Sequence, residues 1–261
     1  MKQRVITAIV AMIIFIPLLI CGGTPFSILV VAMGLVAMSE MLTMKKKLLV
    51  SPEAGLSFLM MAGMLVPDSW LRVIPGMTHL DLLYFFALIL LLYTVASKNR
   101  FSFDDAGALV LCAVYAGLGF HYMIAARNIG LTTILYGLLI VWITDSGAYM
   151  IGRQIGKHKL APKMSPNKTW EGSIGGTVAT VILVGIYLFF FPLKKYSLPV
   201  MLLITLVLSV AGQIGDLVES AFKRHYGVKD SGKILPGHGG ILDRFDSLLF
   251  VLPLMHLFGL I

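Results

Sequence analysis

The sequence predicts an all-α, polytopic integral membrane protein, on the strength of its composition, its succession of apolar runs and the placement of its basic residues. Of 261 residues, 58% are hydrophobic and 13% charged, and the mean hydropathy is +0.90. A water-soluble domain carries roughly 25% charged residues. Apolar runs of about 18 residues or more with few charges read as membrane spans. This chain holds too many of them for one hydrophobic core.

Apolar runs separated by breakers place about nine helices near residues 4–20, 25–43, 54–67, 80–97, 106–126, 131–152, 173–191, 197–221 and 241–260. The first opens with Lys2 and Arg4 and then turns apolar, as a signal peptide does, and Cys21-Gly22-Gly23 behind it is compatible with a lipoprotein cleavage site. Further spans follow, so we read it as an uncleaved first helix. The third run is short, rich in Met and Gly and bounded by Pro52 and Pro67, which suits a re-entrant segment as well as a span. Thr24-Pro25, Ser51-Pro52, Pro75-Gly76 and Pro236-Gly237 mark connections. Without an internal repeat or a low-complexity linker, residues 1–261 read as a single membrane domain. Cys21 and Cys112 lie far apart in apolar runs, as small buried hydrophobes rather than a disulfide or thiolate site.

Lysine and arginine set the orientation. With the N-terminus cytoplasmic, 17 fall on inside segments: Lys2, Arg4, Lys45 to Lys47, Lys98, Arg100, Arg153, Lys157, Lys159, Lys163, Lys168, Lys223, Arg224, Lys229, Lys233 and Arg244. Four, Arg72, Arg127, Lys194 and Lys195, fall outside. That asymmetry is the positive-inside pattern. The net charge of +8 is therefore topology, not a nucleic-acid footprint, and no nucleic-acid partner is expected. The same topology makes the Asn167-Lys168-Thr169 sequon cytoplasmic, a chance match.

Ionisable residues inside apolar spans cost at least ~2.5–3.5 kcal/mol each at mid-bilayer and so mark function by default. Seven of the 13 acids fall from Asp145 onward. Asp145 lies inside the sixth helix, Asp216 and Glu219 lie late in the eighth, and Asp243 and Asp246 open the ninth. The last two pairs are spaced i,i+3, which puts each pair on one helix face. Carboxylates converging at one membrane face suit a hard cation such as Mg2+, which takes oxygen ligands and shares them with phosphates. Nearby Lys and Arg would hold the phosphates. The alternative, open for any single acid, is an intramembrane salt bridge, as of Asp243 or Asp246 with Lys223, Arg224 or Arg244.

Two polar loops accompany these acids. Lys229-Asp230-Ser231-Gly232-Lys233-Ile234-Leu235-Pro236-Gly237-His238-Gly239-Gly240 runs straight into the ninth helix. Its glycines allow close backbone approach to a ligand, and N–H groups at a helix start favour anions. Such turns also simply connect helices, and His238 reads as an ordinary loop histidine or as a catalyst. Lys163-Met164-Ser165-Pro166-Asn167-Lys168-Thr169-Trp170-Glu171-Gly172 follows the sixth helix, with Trp170 as an interfacial anchor. Together they point to a phosphorylated, water-soluble ligand beside the bilayer.

These residues carry a resemblance. Ser220-Ala221-Phe222-Lys223-Arg224, then Lys229-Asp230-Ser231-Gly232, then Leu235-Pro236-Gly237-His238-Gly239-Gly240-Ile241-Leu242-Asp243-Arg244-Phe245-Asp246 resembles the signature of phosphatidate cytidylyltransferases. Asp145-Ser146-Gly147-Ala148-Tyr149 and Ser165-Pro166-Asn167-Lys168-Thr169-Trp170-Glu171-Gly172 are similar to the family as well. Many members have a second Lys where Asn167 stands, a departure that removes one phosphate contact. The resemblance covers residues 141–250, while the N-terminal half, residues 1–130, agrees only in length and hydropathy, as variable spans do.

The resemblance implies an enzyme of the bacterial cytoplasmic membrane, dimeric and dependent on Mg2+, with a second cation left open. It implies transfer of CMP from CTP to phosphatidic acid, giving CDP-diacylglycerol and pyrophosphate. Both substrates are anionic, so catalysis rests on positioning and charge neutralisation. The expected metal ligands are Asp216 with Asp243 or Asp246, and Asp145 close by. Lys223, Arg224, Lys229 and Lys233 are expected to hold phosphates of CTP or lipid, supported by Lys168 and Arg244, with His238 steadying pyrophosphate. Ser165, Asp230, Gly239 and Gly240 complete the expected substrate-binding set.

Three rivals are weighed against this. A CTP-dependent lipid kinase, or a cytidylyltransferase for an ether-lipid phosphate, would share catalytic parts, but the intact segment from Ser220 to Asp246 favours phosphatidic acid. An ion-coupled transporter would show pseudo-symmetric halves, whereas the functional-looking residues here are confined to the C-terminal half. A CDP-alcohol phosphotransferase is set aside because that family's Asp-Gly, Ala-Arg, Gly, Asp, Asp pattern is missing.

Overall fold

The computed structural model describes residues 2–71, 75–193 and 195–261. Arg72 and Lys194, counted in the charge asymmetry, lie outside the described residues, as do the side chains of Lys2 and Arg4. The helices are α1 (Lys2–Cys21), α2 (Gly23–Met44), α3 (Pro52–Leu65), the short α4 (Asp68–Leu71), α5 (His79–Ala96), α6 (Phe103–Cys112), α7 (Leu118–Ile129), α8 (Leu131–Ile155), α9 (Trp170–Phe190), α10 (Leu198–His225), α11 (Leu242–Phe245) and α12 (Leu248–Leu257), with a π-helical turn at Ala113–Gly117 joining α6 to α7. Each apolar run read from the sequence meets a helix. Six are long and apolar enough to cross a membrane: Gly23–Met44, His79–Ala96, Phe103–Ile129, Leu131–Ile155, Trp170–Phe190 and Leu198–His225. Ile6–Cys21 and Leu248–Leu257 are shorter apolar helices, and α3 has 14 residues.

Local chemistry explains the helix starts. Ser51 caps α3 through Ala54 N, with Pro52 in the first turn, where its missing N–H leaves no bond unmade. Thr78 with Asp81, and Ser102 with Asp105, form reciprocal capping boxes on α5 and α6.

Two departures from the expected all-α chain stand out. Residues between α8 and α9 form an antiparallel hairpin, β1 (Lys159–Ala161) with β2 (Ser165–Thr169), pairing Lys159 with Thr169 and Ala161 with Ser165. Met164 N closes its turn on Ala161 O at 3.2 Å, and Thr169 ends the strand by capping α9 through Gly172 N at 3.2 Å. Secondly, the ninth helix is interrupted, α11 ending at Phe245 and α12 starting at Leu248. There Asp246 Oδ1 accepts the N–H of Ser247 at 2.7 Å, a local side-chain bond that competes with the helical ladder.

The chain divides into two compact units, Met1–Ala125 with Asp230–Arg244, and Ala126–Lys229 with Phe245–Ile261. Methionine dominates much of the first unit's interior: Met33, Met38, Met41, Met60, Met61 and Met64 are buried, a soft side chain suited to irregular gaps. In the second unit, α8 and α9 approach backbone to backbone. A Cβ at Gly147 would lie 3.1 Å from Gly176 Cα, and one at Gly176 would meet Thr144 O at 2.7 Å. Small residues at helix interfaces drive such packing where lipid removes the hydrophobic advantage of large ones. Buried hydroxyls tie the same helices to α10: Thr144 Oγ1 lies 2.8 Å from both Thr180 Oγ1 and Ser209 Oγ, and Tyr136 Oη lies 2.9 Å from Thr205 Oγ1.

Candidate functional site

In the second unit the sequence pattern resolves into geometry. The last turns of α10 carry Asp216, Glu219, Lys223 and Arg224, β2 carries Ser165 and Lys168, and α8 carries Asp145 one residue beyond the buried Thr144. Lys168 Nζ lies 2.5 Å from Asp216 Oδ2, with both side chains about a quarter exposed, and Ser220 Oγ lies 3.3 Å from Asp216 Oδ1. Lys223 pairs with Glu219, whose carboxylate is fully buried, one helical turn earlier. Asp246 is partly buried; Asp216 and Asp145 act on it as like charges and Lys223 as an opposite one. A Cβ at Gly215 would meet Asp246 O at 2.8 Å, so glycine there lets α10 lie against the turn bearing that aspartate. Arg224 reaches across to the hairpin, Nε to Met164 O at 3.4 Å, and also bonds Val228 O at 3.2 Å. Lys229 is exposed.

The first unit holds the rest of the expected set, Asp230, Lys233, His238, Gly239, Gly240, Asp243 and Arg244. Asp243 Oδ2 accepts from Ser231 N at 2.8 Å, Ser231 Oγ at 2.9 Å and Gly240 N at 2.8 Å. The bend between is closed by Leu235 N on Gly239 O at 3.0 Å and His238 N on Leu235 O at 2.8 Å. Gly237 and Gly239 take φ of 79° and 83° there, a region other residues rarely enter. Asp230, Lys233 and Arg244 are exposed. His238 Nδ1 is buried with no hydrogen-bond partner among the described residues.

Sequence reasoning missed one residue of this region. Glu40, on α2 and 4% exposed, accepts from Ile241 N at 2.7 Å, Leu242 N at 3.0 Å and Ser231 Oγ at 3.0 Å. Polar residues that act on the loop are therefore not confined to the C-terminal half. The signal was available: Glu40 is a carboxylate within an apolar run, and such residues mark function by default.

Whether the acids suit Mg2+ rests on their chemistry and spacing. Asp145, Asp216 and Asp246 are oxygen donors within electrostatic reach of one another. Among the described residues no group of three His, Cys, Asp or Glu is gathered as a finished metal cage. Mg2+ is commonly bound by one or two carboxylates plus substrate phosphates rather than by an all-protein cage. The donor set fits a cation of that kind. Asp243 differs, since its Oδ2 is engaged by the loop's own N–H groups.

The profile described as "Cytidylyltransferase family" matches residues 2–261. The chain is 50% identical to a phosphatidate cytidylyltransferase of Bacillus subtilis over 262 aligned positions, 98% of this chain and 96% of that protein. It is 49% identical to one of Staphylococcus haemolyticus, over 98% of each chain. It is 47% identical to one of Staphylococcus aureus, again over 98% of each. With its whole length matched and near half its residues shared with these relatives, the chain belongs to the cytidylyltransferase family.

Proposed function

We propose that this chain transfers the cytidylyl group of CTP to phosphatidic acid, releasing pyrophosphate and leaving CDP-diacylglycerol in the membrane. The observation that carries the reading is the gathering of Asp145, Asp216 and Asp246 with Lys168 and Lys223 in the second unit, in a chain whose relatives bear that activity in their names.

An oxygen of the lipid phosphate attacks the α-phosphorus of CTP, the new P–O bond forms, and the bond to the β-phosphate breaks with its electrons leaving on pyrophosphate. The lipid phosphate is an adequate nucleophile near neutral pH, so no covalent enzyme intermediate is needed. The protein's task is positioning and charge neutralisation. Asp216 and Asp246, with Asp145 alongside, would hold Mg2+, which would supply positive charge to the phosphates. Lys168 and Lys223 lie beside those carboxylates and bring positive charge to incoming phosphates, with Arg224 and Lys229 completing that bank and Ser165 offering a neutral hydroxyl donor. The first unit's loop offers Lys233, Arg244, His238 and the backbone of Gly239 and Gly240 as anion-binding groups, with Asp230 and Asp243 shaping it. Asp243 thereby acts through the loop.

We further propose nine membrane passages with the N-terminus cytoplasmic, the six long helices being joined by α1, α3 and the α11–α12 segment, in the bacterial cytoplasmic membrane with the reacting groups on the cytoplasmic face. Charge placement supports this orientation. A homodimer follows from the family resemblance and is checked by the mass of the purified protein in detergent.

The test is release of pyrophosphate by protein purified in detergent, measured with and without CTP, Mg2+ and phosphatidic acid. Release is expected to need all three and to fall roughly 100- to 1,000-fold in Asp246→Asn, the scale seen when one charge-stabilising group is removed. No release from folded protein with any phosphatidic acid species overturns the reading.

A further inference from the structure

The glycines of the loop invite the view that they make room for a ligand. The structure gives three of them another neighbour. A Cβ at Gly232 would lie 2.9 Å from Glu40 Cγ and Oε1, and one at Gly240 would drive into the Glu40 carboxyl and Ser231 Oγ. A Cβ at Gly239 would run into the Asp243 carboxyl. These glycines let the chain wrap two carboxylates, and those carboxylates bind the backbone in return.

Glu40 takes Ile241 N and Leu242 N, and Asp243 takes Ser231 N and Gly240 N. Ser231 Oγ lies between the two, 3.0 Å from Glu40 Oε2 and 2.9 Å from Asp243 Oδ2. Both ends of the loop, Ser231 and Gly240 to Leu242, are thus fastened at one neck, and Lys233 and His238 ride on the bend between. Four backbone N–H groups and one hydroxyl converge on two side chains. A surface turn held only by its own backbone has no such anchor.

We propose that Glu40 is a positioning residue for the transferase reaction: it fastens the neck of the loop so that Lys233 and His238 are presented to substrate phosphate in one fixed arrangement. It touches neither substrate nor reacting atoms. This inference rests on the reading of the loop as an anion-binding element. Misplacement by about 1 Å through a residue remote from the chemistry can lower a rate roughly 100-fold, so the effect should appear in turnover rather than only in stability.

The experiment uses the full chain in detergent. Wild type, Glu40→Gln, Ser231→Ala, Lys233→Ala and the double variant Glu40→Gln/Lys233→Ala are compared for pyrophosphate release, with melting temperatures recorded and rates taken well below them. Glu40→Gln is expected to lower kcat/KM for CTP roughly 100-fold. Ser231→Ala, which keeps the backbone bonds to Glu40, is expected to fall between it and wild type. The diagnostic is the double variant: if Glu40 works by placing Lys233, removing that lysine from the Glu40→Gln protein costs little more. Fully multiplied effects, or Glu40→Gln with wild-type kcat/KM, overturn the proposal. Should Glu40→Gln not fold, Ser231→Ala against Ser231→Ala/Lys233→Ala carries the same comparison. Inactive wild type with CTP and phosphatidic acid would instead strike the reaction itself.

Discussion

Lys168 on β2 and Asp216 on α10 meet at 2.5 Å. Lys168 is thus a counter-ion to the Asp216 carboxylate, and under the proposed reaction it is also a candidate phosphate contact. A partly exposed pair of this kind adds only about 0–1 kcal/mol to stability.

Lys168→Met should therefore leave the melting temperature nearly unchanged while lowering kcat/KM for CTP by about tenfold or more, on the scale of one lost charge-assisted contact. It should also shift the Mg2+ activation midpoint to lower concentration, because Asp216 loses a competing positive charge. Titrating Mg2+ at saturating CTP checks this; an unmoved midpoint would mean that the pair does not compete with the metal.

Chelation gives a second test. The loop's neck is closed by Glu40 and Asp243 through Ser231, so if Mg2+ serves the phosphates as proposed, removing it with EDTA should abolish turnover and leave the melting temperature nearly where it was. Activity should return on adding Mg2+ back.

The glycine seam predicts opposite outcomes for two glycine substitutions. Gly176→Val forces a side chain against Thr144 O and Ala148 N and should destabilise by about 1–3 kcal/mol, as overpacking does. Gly107→Ala, on α6 with nothing within 4 Å, should be neutral or stabilising by up to about 1 kcal/mol. Thermal melts of the two side by side decide it.

Removing the Thr144 hydroxyl tests the buried polar ladder. Thr180 keeps its bond to Gly176 O and Ser209 keeps Thr177, so Thr144→Val should cost only about 1 kcal/mol, the scale of an interhelical hydrogen bond in a membrane protein. A larger loss of activity than of stability would show that the ladder also holds Asp145, its neighbour on α8.

Much of this architecture was legible because hydropathy is a coarse and strong signal. Each apolar run became a helix, and the breakers at Ser51-Pro52 and Thr24-Pro25 fell at helix starts. The hairpin escaped because Lys159 to Thr169 has no apolar period, only a turn and a cap to shape it. The break at Asp246 escaped because it depends on one side chain capturing one N–H. At the candidate site the residue types were readable and their partners were not. Asp216 and Asp243 look alike in a string of letters, yet one faces Lys168 and the other binds loop N–H groups. Glu40 was legible as a carboxylate in an apolar run, but its partners were hidden by distance along the chain, since nothing near it spells its connection to Ser231 or Ile241.

That distance has a consequence for how the protein is made. Chains are built from the N-terminus, so α2 enters the bilayer long before residues 231–242 exist. Until they do, a carboxyl group sits near the end of an apolar span with none of the donors that later hold it, at a cost of a few kcal/mol if it is charged at depth. The finished loop relieves that state. The groups that Glu40 binds in the folded protein, on Ser231, Ile241 and Leu242, are thus among the last of its surroundings to be synthesised. A nascent chain stopped before Asp230 should be handed to membrane quality control sooner than one carrying Leu at position 40.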